Sequence, residues 1–155
     1  MTNNATNKVT AVAEDPDDTV EILNGDTPVE SGETASWSVG DNTITVTVTD
    51  SDDETVKTEY TVTVHRNSSE CAITAFAIGE AVGVVDESDH TIAVEVPNGT
   101  DVTALTPTIT VSTGASVDPA SETEGDFTDP VEYTVTAEDG TTTQIYTVTV
   151  TEASA

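Results

Sequence analysis

The sequence predicts an all-β fold built from two tandem copies of one β unit, and three observations carry that prediction. The pentapeptide Tyr-Thr-Val-Thr-Val occurs at residues 60–64 and again, unchanged, at 146–150. Each copy follows a second alternating run across an acidic turn, which is the pattern of an antiparallel hairpin. No segment carries an amphipathic stripe at helical spacing.

Within each pentapeptide the apolar residues fall at every second position. Tyr60, Val62 and Val64 therefore share one face and the threonines the other, as in a half-buried strand. Every residue in it is β-branched or aromatic, which suits a pleated surface and crowds a helix. Its partner run at 43–48 has the same period, and Asp50-Ser51-Asp52-Asp53-Glu54 supplies the turn between them. In the second copy, runs at 131–135 and 144–150 flank Glu138-Asp139-Gly140, where Asp-Gly favours the positive φ of a tight turn.

The remaining elements follow from the same reasoning. Residues 1–7 are polar and are expected to fray. A weak alternation through Val9 and Ala11 ends at Asp15-Pro16-Asp17-Asp18, and a short strand at 19–23 closes on Asn24-Gly25. Residues 26–32 form a loop with Pro28; Ala35, Trp37 and Val39 then share a parity that turns Trp37 inward as the largest piece of the first core. Residues 67–70 read as a short polar linker. A strand at 71–78 sets Ile73, Ala75 and Ala77 against Ala72, Thr74, Phe76 and Ile78, and 79–85 continue it irregularly. After the turn Asp86-Glu87-Ser88-Asp89, Ile92, Val94 and Val96 point inward from 91–96, and Pro97-Asn98-Gly99 turns the chain again. Leu105, Ile109 and Val111 mark a strand interrupted by Pro107, and 112–130 are mostly loop with a short strand at 115–117.

Composition narrows the class of protein. Thr and Val together make up about a third of the chain, as expected of strands. Thirty carboxylates against three cations give a formal charge of −27, and the cations Lys8, Lys57 and Arg66 all lie in the first copy. Nucleic acid and anionic lipid are therefore excluded as partners, because both demand a basic patch. No run approaches the roughly 20 apolar residues that span a bilayer, no signal peptide is recognisable, and the start reads as that of a mature or expressed fragment. One cysteine, Cys71, leaves no intrachain disulfide and reads as a small half-buried hydrophobe.

The run Val39-Gly40-Asp41-Asn42-Thr43-Ile44-Thr45-Val46-Thr47-Val48, its acidic turn and the strand at 60–64 resemble the C-terminal half of a bacterial cadherin-like β-sandwich repeat. The second copy, through Ile73-Thr74-Ala75-Phe76, the strand at 91–96 with Pro97, and the segment from Tyr133 to Thr142, resembles a related immunoglobulin-like surface repeat. The resemblance implies two tandem immunoglobulin-like (cadherin-like) β-sandwich domains: an incomplete first repeat at 1–66 and a fuller one at 67–155. Such modules are strung along bacterial surface or secreted proteins. Tyr60 and Tyr146 lie 86 residues apart, so the counterpart of Ala72 falls before the first residue, and the first repeat lacks its opening strand. No calcium sites are carried over, since the linker acids of true cadherins have no counterpart here.

No catalytic, cofactor-binding or metal-binding residue is assigned. His65 and His90 sit beside strand ends with no nucleophile or second histidine at ligand spacing. The acidic clusters Asp15-Asp17-Asp18, Asp50-Asp52-Asp53-Glu54 and Asp86-Glu87-Asp89 lack EF-hand spacing and read as solvated turns. A Lys–Asn isopeptide staple is impossible in the second copy, and in the first only Lys8 or Lys57 could serve. Asn4, Asn67 and Asn98 head N-glycosylation acceptor triplets, which Thr-rich sequence produces by chance.

The expected function is a non-enzymatic, extracellular spacer, stalk or fibre unit of a bacterial surface protein, without cofactor. Its expected partners are adjacent repeats or copies of itself, which would lend a strand to the incomplete first repeat. The donor candidates are residues 1–13 and the C-terminal 149–155. The alternatives are an adhesin for an unidentified protein and a carbohydrate-binding accessory module, the latter thinly supplied with aromatic rings.

Overall fold

The computed structural model describes residues Met1–Ala155 and contains fourteen strands and no helix. The chain divides into two compact units, Met1–Asn67 and Ser68–Ala155.

The first unit is organised by a long hairpin. Strands β5 (Gly40–Thr49) and β6 (Lys57–Arg66) pair over their whole length, from Thr49 opposite Lys57 to Gly40 opposite Arg66. The acids predicted to turn the chain do so by capping backbone N–H groups: Asp50 Oδ1 accepts from Asp52 and Asp53, and Asp53 Oδ1 accepts from Thr55. Strand β2 (Thr19–Asn24) pairs with β5, and β3 (Thr27–Pro28) completes the sheet β3-β2-β5-β6. Between β2 and β3 the chain reverses at Gly25, whose φ of +57° only a residue without Cβ adopts freely. The register places Val20, Ile22, Ile44, Val46, Val48, Tyr60, Val62 and Val64 on one face. Only two short strands cover it, β1 (Thr6–Lys8) and β4 (Thr34–Ser36), paired with each other. Trp37, just beyond β4, packs with Ile22, Ala35 and Ile44 as the predicted centrepiece of the core, and with the Asn7 amide turned so that its oxygen faces the indole, that oxygen accepts from the indole N–H at 3.2 Å. Val39, of the same parity, is exposed.

The N-terminal residues do not fray as their polarity suggested. Thr2 N–H donates to His65 O at 2.8 Å and Asn67 N–H to Thr2 O at 3.0 Å, a parallel bridge at the end of β6. Backbone pairing, which leaves no hydrophobic signature, ties this end down.

The second unit is a sandwich of two full layers. Strands β7 (Ile73–Ile78), β8 (Ala81–Val82) and β11 (Pro107–Val111) form one sheet in the order β11-β7-β8. Strands β9 (Val84–Asp86), β10 (Thr91–Val96), β12 (Ser116–Asp118), β13 (Val131–Thr136) and β14 (Thr143–Glu152) form the other, in the order β12-β13-β14-β10-β9. Here β10 runs parallel to β14 while the other pairs are antiparallel. The irregular stretch 79–85 is where the chain passes from one sheet to the other, at Gly83. A Cβ there would meet Ile92 Cγ2 at 2.9 Å and Phe76 O at 3.1 Å, so only glycine allows the crossing.

Two details differ from the simple alternation. Thr110 faces Ala75 but Val111 faces Ile73, so Thr74 is the extra residue of a β-bulge. The bulge resets the parity, and Ile73 and Phe76 enter the core together instead of opposing each other, while Ala75 is exposed. Pro107 does not interrupt its strand but opens it. It lies first on an edge strand, where its missing N–H is tolerated. Phe76 meets Tyr133 edge to face with centroids 5.6 Å apart. Thirteen buried residues make up this core against four in the first unit, so the second unit holds the greater share of hydrophobic stabilisation.

Candidate functional site

The two copies of Tyr-Thr-Val-Thr-Val form the same local strand and have opposite surroundings. In β14, Tyr146 and Val148 are 1% and 0% exposed; in β6, the equivalent Tyr60 and Val62 are 57% and 52% exposed. The inward placement expected of Tyr60 and Val62 is therefore overturned. Alternation sorts side chains between faces, but whether a face is buried depends on a covering layer, and β1 and β4 do not extend over this end of β6. The result is an apolar face with two clefts. One, of about 470 Å³, is lined by Ala11, Val12, Val46, Val48 and Tyr60 together with Glu14 and Asp18. The other, of about 440 Å³, is bounded by Asn7, Val9, Trp37, Ile44, Val62 and Val64.

The same strand is the edge of its sheet, with β5 on one side and only Thr2 on the other. An edge of this kind presents unpaired N–H and C=O groups. Lys57 and Arg66 stand at its two ends, and the Arg66 guanidinium is spent on Trp37 O at 2.9 Å. A third cleft, of about 640 Å³, is lined by Glu21, Glu30, Asp50, Glu54 and Lys57 among others and contains no aromatic ring.

Histidine and cysteine chemistry is not assembled into a reactive set. His65 Nδ1 pairs with Asp41 Oδ1 across the β5–β6 ladder. His90 adopts φ of +53° at the entry to β10 and lies edge-on to Tyr146, with ring centroids 5.4 Å apart. Tyr146 Oη donates to Glu87 Oε2 at 2.7 Å; burial first, and then this carboxylate, push its phenol up to about 12. Cys71 is half-buried and shares a shallow hollow of about 220 Å³ with His90, Glu87, Gln144 and Tyr146.

The acidic clusters do not converge as metal-ligand groups. Their oxygens serve the turns. Asp17 N–H donates to Asp15, Ser51 N–H to Asp18, and Ser88 and Asp89 N–H to Asp86. Asp53, Asp86, Asp101, Asp126 and Asp139 all ionise below the ordinary range, and in each the leading cause is hydrogen bonding from the Ser or Thr two or three residues on. Asp139, which accepts from Thr141 and Thr142, is lowered to about 2.

The aromatic inventory bears directly on ligands. Of two Phe, one Trp and three Tyr, only Tyr60 is exposed; Trp37, Phe76, Phe127, Tyr133 and Tyr146 are buried. The open β6 face escaped the sequence reading of its residues, because alternation alone does not say which face receives a covering layer.

Comparison with known proteins gives the following. Residues 73–150 match the family described as SGBP, N-terminal, and residues 2–67 match the cadherin-like beta sandwich domain. Among solved structures, a candidate glycoside hydrolase from Bacteroides thetaiotaomicron is 33% identical with a TM-score of 0.52, over 57% of this chain and 26% of its own. The chain thus spans about a quarter of that protein. A candidate secreted protein from Bacteroides fragilis is 21% identical with a TM-score of 0.45, over 56% of this chain and 98% of its own. No curated protein matches.

Proposed function

We propose, from the premise that this chain belongs through residues 73–150 to the SGBP N-terminal family, that it is a spacer segment of a surface glycan-binding protein and not the part that grips the sugar. The observation that carries this reading is the burial of every aromatic side chain in the family-matched unit: Phe76, Phe127, Tyr133 and Tyr146 are each at most 2% exposed. Sugar sites depend on exposed rings that stack on pyranose faces together with a few convergent polar groups. A unit that spends all its rings on its core has none to offer. What the unit does have is a well-filled sandwich and an acidic surface that resists non-specific adhesion, the properties of an extended connector outside the cell. The same charge argues against nucleic acid and anionic membranes as partners. The reading is non-enzymatic, since no nucleophile, base and orienting group come together.

A second reading is favoured by one observation, the exposed ring of Tyr60 beside the Glu14 and Asp18 carboxylates, which could accept sugar hydroxyls. Affinity electrophoresis of the chain through gels containing soluble polysaccharides separates the two. The spacer reading expects mobility equal to that in a plain gel. Retardation that disappears in Tyr60→Ala establishes direct sugar contact at β6, and retardation that survives this substitution places a sugar site elsewhere; both overturn the spacer reading.

A further inference from the structure

The chain turns at two Asn-Gly steps, Asn24-Gly25 in the first unit and Asn98-Gly99 in the second. Both glycines have positive φ, +57° and +80°, and a Cβ added at either would meet nothing within 4 Å, so bare backbone stands at each turn. The bonds that hold the two turns differ. At the first, Asn24 Nδ2 donates to Ser36 O at 2.7 Å and Gly25 N–H to Thr43 O at 2.9 Å. Side chain and backbone are thus drawn to two different strands, β4 and β5, and both acceptors are neutral carbonyls. At the second, Asn98 Nδ2 donates to Ala153 O at 3.1 Å and Gly99 N–H to Glu152 Oε2 at 2.7 Å. Here the side-chain amide and the glycine nitrogen are drawn to consecutive residues at the end of β14, and the acceptor on Gly99 is a carboxylate, which can take a proton. Asn98 and Gly99 are exposed to water, whereas Asn24 is half-buried.

We propose that Asn98 is a self-modification site, at which the Gly99 nitrogen closes on Asn98 Cγ with Glu152 as the catalytic base. A peptide nitrogen is a poor nucleophile until its proton is removed, and the Glu152 carboxylate already holds that proton in a hydrogen bond. The proton passes to Glu152 as the N–Cγ bond forms, and Glu152 returns it to Nδ2 as the Cγ–Nδ2 bond breaks. Ammonia leaves and a five-membered succinimide remains. Water then opens one of its two carbonyl–nitrogen bonds, giving either aspartate or an isoaspartate whose main chain runs through Cγ. Nothing is oxidised or reduced, and water is the only co-reactant. The product has lost the donor to Ala153 O and sets a new carboxylate beside that of Glu152, and the second unit has no Lys or Arg to offset it. Repulsion between like charges then replaces the bond that tied this turn to the end of β14.

The test incubates the full chain in neutral buffer, digests it, and follows both Asn-Gly peptides by mass spectrometry, with isoaspartate identified from its fragment ions. In the folded chain Asn98 should convert about tenfold faster than Asn24 or more. In denaturant, where only the shared dipeptide acts, the two should convert at similar rates. Glu152→Gln keeps an oxygen for the Gly99 N–H but cannot take its proton, and should slow Asn98 by about tenfold or more. A Glu152 that merely restrained the turn would give the opposite sign, since loosening the turn speeds ring closure. Glu152 is exposed, and an unchanged thermal melt by circular dichroism certifies the fold of the variant. Conversion of Asn98 no faster than that of Asn24 in the folded chain, or undiminished in Glu152→Gln, would overturn the proposal. Neither outcome depends on whether the chain binds sugar.

Discussion

The substitutions Val62→Ala and Val148→Ala remove the same two methyl groups from the same pentapeptide in two settings. Val148 is fully buried and packs in the thirteen-residue core of the second unit. At about 0.8 kcal/mol per buried methylene, plus a term for the cavity left behind, its loss should cost about 2–3 kcal/mol. For a domain of this size each kcal/mol moves the melting temperature by roughly 4–8 °C, so the second unit should melt about 10–20 °C lower. Val62 is 52% exposed, with open cleft beside it. Its truncation should cost less than about 1 kcal/mol, most of it strand propensity, which is common to both sites and cancels in the comparison. Differential scanning calorimetry of both variants reads the two numbers. Equal destabilisation would refute the reasoning, because it would mean that the β6 face is as well covered as the β14 face.

Three further outcomes follow. Trp37→Ala removes the largest side chain of the four-residue core and should cost about 3–5 kcal/mol, enough to unfold the first unit; calorimetry should show its transition lost and that of the second unit retained. The folded-state value of Asp139, about 2, lies below that of an unfolded aspartate, so the unfolded chain binds more protons between the two; the stability from this turn is present above about pH 4 and is lost as pH falls through 2. Acid denaturation followed by circular dichroism should show this loss, and Asp139→Asn should flatten it; an unchanged profile would dismiss the turn's contribution. With a formal charge of −27, melting should rise with NaCl as self-repulsion is screened, and CaCl2 at matched ionic strength should do no more; a saturable, calcium-specific rise would establish a metal site in the acidic turns.

Much of the architecture was legible because it rests on local rules. Both hairpins, the turn at Asn24-Gly25, the inward set Ile92, Val94 and Val96, and the burial of Trp37 follow from alternation and turn chemistry. What escaped depends on more than one segment. The bulge at Thr74 is a property of the register with β11, and no pattern within 71–78 signals it. Gly83 is glycine because Ile92 and Phe76 converge there, a fact of the sandwich and not of its own neighbours in sequence. The N-terminal residues are held by main-chain bonds, for which side-chain composition is no guide. Tyr60 shows the limit most plainly. Its five-residue context is identical to that of Tyr146, so nothing local can separate an open face from a closed one; only the strands packed over each face do so.

The account turns on that contrast between two identical pentapeptides, and amide hydrogen exchange resolved by NMR measures it at single residues. Thr147 N–H is bonded to His90 O inside a two-layer sandwich, and its exchange should be slowed to the rate of global opening of the second unit. Thr61 N–H, its counterpart, faces the open edge of β6 and should exchange close to the rate of an unstructured peptide, while its neighbours Tyr60 and Val62, paired with β5, are protected. Strong protection at Thr61 in the isolated chain would show that the edge is already filled, and would contradict the account.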